Sequence, residues 1–191
     1  MDLVLASTSA GRRALLERLG VPFSCVAPGV DEAPLHASEP DPAQLAQRLA
    51  AAKAEAVAAL HPRAVVIGGD QVAALEDEVL HQPGSPERAR EQLRRLSGRT
   101  HVLHTATCIQ HPGGAVTWLE APRMTMRELT DAEIARSVER DDPRWCAGAY
   151  KLELSGIALF ERIEAVDWNA VVGLPLLRLV RELRALGIPV P

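Results

Sequence analysis

Three stretches of this chain carry residues whose types and spacing suit the chemistry of phosphate esters. The first is STSAGRR, residues 7–13, directly after an apolar run. Arg12 and Arg13 fall in the first turn of the helix expected there, where the macrodipole disfavours cations by ~0.3–1 kcal/mol each. A bound anion reverses that penalty, because free backbone N–H groups and both guanidiniums would point at it. Otherwise the two arginines simply face solvent. The stretch lacks the glycines of a Walker A or Rossmann turn. The second, VVIGGDQV, places Asp70 behind two glycines at the end of an apolar strand, where open α/β sheets put their sites. The alternative is a carboxylate that caps a turn. The third is Asp31-Glu32. These acids could give a hard divalent ion its second carboxylate, the rest of its shell coming from phosphate oxygens and water. Adjacent acids are also ordinary surface features.

Lysine occurs only at Lys53 and Lys151, every other basic residue being arginine. Lys53 lies in the middle of an alanine-rich helix, from which it either snorkels to solvent or reaches inward as a point charge for phosphate. Lys151 and Glu153 sit among small residues around Tyr150 and read as an ion pair at a strand edge. The six histidines show no metal-ligand spacing such as HExxH, and no GxSxG elbow is present. Cys25, Cys108 and Cys146 are an odd number without paired spacing. They read as reduced thiols in a reducing cytoplasm rather than as a disulfide scaffold or a zinc knuckle.

These residues need a scaffold, and the chain can build one. It has 191 residues, 47% hydrophobic and 24% charged, with a net charge of −4. That is enough for a core and one domain spanning 1–191. The mild acidity disfavours nucleic acid as a partner. No apolar run approaches the ~18 residues of a membrane span, and the N-terminus is acidic before its apolar stretch, the reverse of a secretory signal. Strands are expected at 2–6, 21–26, 64–67, 102–109, 115–128 and 157–163. Helices are expected after Ser7–Ser9, over 42–60, from Pro86, after the Thr130/Glu133 capping box, and over 175–186. Residues 27–40 read as loop. Interleaved strands and helices make an α/β domain.

In order, LASTSAGRRALLERLG, VDE, RLAAAKA, VIGGDQV, LSGRTH, CAGAYKLE and NAVVGLPL resemble the Maf family over essentially the whole chain. The resemblance implies a mixed, bent sheet flanked by helices, with a deep cleft between two lobes, an architecture shared with ITPase-like proteins. It also implies a cytoplasmic, often dimeric enzyme that cuts nucleoside triphosphates between the α- and β-phosphates, using a divalent cation (Mg²⁺, Mn²⁺ or Co²⁺). Asp70 then matches the proton acceptor for the attacking water, and Glu32 the acid near metal and phosphates. Ser7, Arg12 and Arg13 match the phosphate cradle, and Lys53 the lysine of the RLAxxKA helix.

Gln71 and Glu153, with Phe160-Glu161-Arg162 and the DEAP sequence, look like the 7-methyl-GTP branch of that family. A carboxylate at 153 can accept from guanine N1–H and the N2 amino group, and its charge suits a methylated, cationic ring. Three positions depart from the family pattern. GKP reads His81-Gln82-Pro83, so a phosphate-contacting lysine has become neutral Gln82. The aromatic residue before the arginine pair is Gly11, and the glycine after Glu153 is Leu154. Two other readings follow from these facts. One is a nucleotide-binding protein with weak catalysis that acts through partners. The other is a pyrophosphatase for dTTP, UTP or CTP, against which Gln71 and Glu153 argue.

Overall fold

The β-branched run at Val65 does not stop at its glycines. In the computed structural model, which describes residues 2–190, it continues as an eleven-residue strand, Val65–Leu75, with Asp70 at its middle. The chain runs β1 (Leu3–Ala6), α1 (Ala10–Glu17), β2 (Ser24–Cys25), α2 (Ala33–Ser38), α3 (Pro42–Ala58) and β3 (Val65–Leu75). It continues as β4 (Glu78–Leu80), α4 (Pro86–Leu96), β5 (Thr100–His111), β6 (Gly114–Glu120), β7 (Arg123–Met126) and α5 (Asp131–Asp141). A 3₁₀ turn at Ser155–Leu159, β8 (Phe160–Glu164), α6 (Asn169–Val172) and α7 (Leu176–Ala185) complete it.

The sheet forks around its two longest strands. β1 runs parallel to the first part of β3, pairing Leu3–Ala6 with Val65–Gly68. β4 runs antiparallel to the last part, from Ala73 onward. β5 lies antiparallel along most of β3, with Asp70 opposite Ala106. Its start pairs with β7 and its end with β6. One branch therefore holds β2, β1 and β6, the other β4, β7 and β8. Residues 69–72 of β3 lie between the partners, and there the cleft opens.

Strand alternation decides what each face buries. Val65 and Ile67 pack with Leu15 and Leu16 of α1 and Leu179 and Leu183 of α7. Ala73 and Leu75, further along the same face, pack with Leu93 of α4 and Ile134 and Val138 of α5. The opposite face, through Val66 and Val72, meets α3. Asp70 shares parity with the α3 face and Gln71 with the other. Gly68 makes the close approach to α3 possible. A Cβ there would run into the Ala50 carbonyl and come within 2.6 Å of the Ala54 nitrogen.

Helix starts follow capping chemistry. Ser9 accepts from the Arg12 N–H at 3.3 Å, Asp41 from Ala43 and Gln44 at 2.8 and 3.1 Å, and Thr130 forms the reciprocal box with Glu133. The expected loop at 27–40 instead contains α2, whose Pro34 sits in the first turn where its missing N–H costs nothing. The expected strand 115–128 is two strands, because Pro122 cannot donate to a ladder. Residues 157–159 belong to the 3₁₀ turn, so that strand begins at Phe160. The strand expected at 21–26 pairs only through Ser24 and Cys25. Among the described residues, no helix is long and apolar enough to cross a membrane.

Candidate active site

The cleft at the fork consists of two adjoining cavities of about 630 and 500 Å³ that share Arg12, Glu32, Lys53, Gln71 and Gln82 on their walls. Of the residues singled out from the sequence, Ser7, Gly11 and Glu153 line the larger cavity and Asp70 the smaller. Asp31 and Lys151 line neither cavity, and nor does Arg13. Its guanidinium is largely exposed and pairs with Glu17 one turn along at 2.9 Å, an ordinary i,i+4 surface pair. The two arginines follow one another in a helix, so they leave it about 100° apart and only Arg12 turns inward.

Lys53 reaches inward. Its side chain is only 12% exposed, and its ammonium pairs with both Asp70 and Glu32, the latter at 2.8 Å. Three elements thus converge on one point: α3 supplies the cation, the middle of β3 the buried carboxylate, and the residue just before α2 the more exposed one. Among the described residues no group of three or more His, Cys, Asp or Glu side chains is placed to hold a metal ion. The two carboxylates that meet on Lys53 are the pair able to share a hard cation.

Arg12 is held from behind. Its Nε donates to the Gly173 carbonyl at 3.0 Å and its Nη1 approaches the Ser7 hydroxyl at 3.4 Å. Burial pulls its pKa below the usual arginine value, while Asp70 and Glu32 oppose that shift. A guanidinium still stays charged at neutral pH. Gly173 can offer this carbonyl because it caps α6 with φ +117°, a conformation closed to most side chains.

Gln71, on the opposite face from Asp70, is tied to the same short helix. Its amide nitrogen donates to Thr105 Oγ1 at 2.8 Å and to the Ala170 and Val171 carbonyls at 3.0 and 3.3 Å. Only its carbonyl oxygen remains for a ligand. Lys151 and Glu153 do not form the strand-edge pair expected from the sequence. Lys151 donates instead to the Asp141 carbonyl at 2.9 Å, and the segment around Tyr150 is a string of turns. Cys146 also lines the cleft, but burial raises its pKa and keeps it a thiol.

The sequence reading gave several wall residues no part in the site, His81 being noted only beside Gln82. His36 and His81 face each other in the smaller cavity with ring centroids 5.5 Å apart. Trp145, Tyr150 and Val172 line the larger one. α6, whose carbonyls fix Gln71 while the glycine that caps it holds Arg12, was hidden in a segment that looked like the start of the last helix. Its one signal was the glycine before Leu174-Pro175.

The family model described as Maf-like protein matches residues 2–186. The chain belongs to the Maf family. Maf relatives match it over nearly their whole length. A 7-methyl-GTP pyrophosphatase from Aromatoleum aromaticum is 48% identical over 191 residues, covering 99% of this chain and 97% of the relative. Another protein of that name from Nitrosococcus oceani is 44% identical, covering 98% and 94%. A third, from Bordetella pertussis, is 46% identical, covering 97% and 92%. Outside close Maf relatives, a nucleoside-triphosphatase / dITP/XTP pyrophosphatase from Mycobacterium abscessus superposes with a TM-score of 0.45 at 17% identity, over 68% of this chain and 76% of that one. A likeness that loose says nothing about chemistry.

Proposed function

We propose that this Maf protein hydrolyses 7-methyl-GTP, or a closely related modified nucleotide, to the monophosphate and pyrophosphate. The relatives' shared name supplies the substrate. The observation that carries the chemistry is the convergence of Asp70, Glu32 and Lys53 inside a cleft whose next wall is the half-buried Arg12.

Each residue has a role that its surroundings allow. One carboxylate oxygen of Asp70 is engaged by Lys53, leaving the other to accept a proton from water as it attacks the α-phosphorus. The bond from that phosphorus to the bridging oxygen breaks, and the electron pair leaves with pyrophosphate. Arg12, anchored by Gly173, offers the rest of its donors to phosphate oxygens, and Ser7 adds a hydroxyl beside it. Lys53 supplies a compact positive charge next to the reacting group.

Asp70 and Glu32 also suit a divalent cation. They come from separate elements, already meet around one positive charge, and match the one or two carboxylates such an ion takes when phosphate completes its shell. When bound, Mg²⁺, Mn²⁺ or Co²⁺ would supply Lewis acidity to the phosphate oxygens. The homodimer implied by the family resemblance belongs to this proposal too.

Pyrophosphate release from a panel of canonical and 7-methylated triphosphates, with each of the three metals, tests the reading. Preferential cleavage of 7-methyl-GTP is the expected result. Preference for dTTP, UTP or CTP would reassign the branch. Silence across the panel with nucleotide still bound would favour the weak-catalysis reading, which the neutral Gln82 on the wall of both cavities makes worth testing.

A further inference from the structure

Trp145 is conspicuous. The residue is 64% exposed, yet it lines the larger cavity together with Glu153 and Gly11. An exposed aromatic face on the lining of a polar cleft is a surface that a planar ligand can cover. The other two tryptophans are not at this site: Trp118 is buried in the packing of β6 and Trp168 is not on the cleft wall.

The segment that carries Trp145 is pinned at several points. The Gly84 N–H donates to the Arg144 carbonyl at 2.9 Å, and the Cys146 N–H closes a turn on Pro143 at 3.0 Å. Buried Asp141 accepts from both the backbone and the hydroxyl of Ser155, at 3.1 and 2.7 Å, while its carbonyl takes Lys151. Tyr150 is anchored from below by His101 at 2.8 Å. Trp145 and Glu153 are thus presented by one closed loop. Lys151, the cation nearest to Glu153 in sequence, is held away from it. Gly11, which lines the same cavity, contributes no side chain; a Cβ there would already press on Val172 at 3.3 Å.

An indole and a carboxylate carried by the same loop and lining the same cavity can together receive a flat, positively charged ring. The indole's electron-rich face attracts a cation, and the carboxylate adds charge and accepts ring N–H groups. We propose that Trp145 is a specificity-determining residue that stacks on the base and, with Glu153, selects a cationic alkylated purine over its neutral parent. This rests on the substrate reading above.

The test uses 7-methyl-GMP and GMP as probes, because monophosphates report binding without turnover. In a Trp168→Phe background, emission comes from Trp145 and buried Trp118. Quenching by 7-methyl-GMP at lower concentration than by GMP is expected. Trp145→Ala, followed by calorimetry, should shrink the preference for the methylated nucleotide about 3- to 30-fold, and Trp145→Phe should shrink it less. If the intact protein prefers 7-methyl-GMP and Trp145→Ala keeps the same ratio, the role of Trp145 falls while the substrate reading stands. Equal loss for both nucleotides would mean stacking without charge selection and would also overturn it. No preference in the intact protein brings down both.

Discussion

Asp70 and Gln82 stand at the two extremes of what one residue can do in this cleft. Asp70 is buried, ion-paired and set at the fork of the sheet. Asp70→Asn keeps its volume and much of its hydrogen bonding but removes the proposed base, so turnover should fall by at least 100-fold, the scale of general-base catalysis. Nucleotide affinity should hold, as equilibrium binding of a non-hydrolysable triphosphate would show. Turnover at the original rate would mean that another group takes the proton. Gln82 lines both cavities without a charge. A charged hydrogen bond to phosphate is worth ~1.5–3 kcal/mol, or roughly 10–100-fold in rate. Gln82→Lys should therefore raise kcat/KM by about that factor. Little change would mean that neighbouring donors, His36 and His81 among them, already serve the phosphates.

The elements matter because they set the angles at which those side chains meet. Gly68 is a point of close approach between β3 and the helix that carries Lys53. In Gly68→Ala the new methyl would lie within 2.8 Å of the Ala54 Cβ and closer still to backbone of α3. Overpacking of that kind costs ~1–3 kcal/mol, and here the helix must move to relieve it. A lower Tm is expected together with a drop in kcat, since Lys53 travels with the helix. Loss of stability alone would show that Lys53 can follow Asp70 from a displaced α3. Much of this level was legible from local signals: the helices expected after Ser7–Ser9, at Pro42, at Pro86 and after Thr130 all form, capped by Ser9, Asp41, Ser85 and Thr130. Asp70 was recognisable as a candidate, yet its place in mid-strand was not. The glycines before it look like a strand end, and only the long-range ladder with β5 carries the strand through them. α2 and α6 were invisible for the complementary reason. They have six and four residues, too few for a hydrophobic period to register. Missing α6 meant missing what holds Arg12 and Gln71. The split between Arg12 and Arg13 needed the helix phase, which the motif alone does not provide.

At the scale of the whole molecule, the two branches of the sheet share β3 and β5, so anything that loosens one branch is felt at the cleft between them. His101 lies in the β7 branch, fully buried at the start of β5, with Tyr150 and Phe160 packed around it. Burial lowers its pKa from 6.5 to about 4, because the imidazolium would be stripped of water there. As pH falls below about 6.5 the unfolded chain takes up a proton that the folded chain refuses until about pH 4. The stabilising contribution is therefore complete above that range, drains away between the two values, and is gone below the lower one. At ~1.4 kcal/mol per pH unit, the loss from this side chain comes to about 3 kcal/mol. Carboxylates titrate in part of the same window, so the comparison that isolates His101 is with His101→Gln, which keeps a polar partner for Tyr150 but cannot ionise. Urea midpoints measured from pH 7.5 to 4 should fall more steeply for the original protein than for the variant. Parallel curves would mean that His101 is protonated in the folded state or that its branch opens before the rest. In that second case Tyr150, and the loop bearing Trp145 and Glu153, would loosen first, and nucleotide affinity would decline at a higher pH than global stability does.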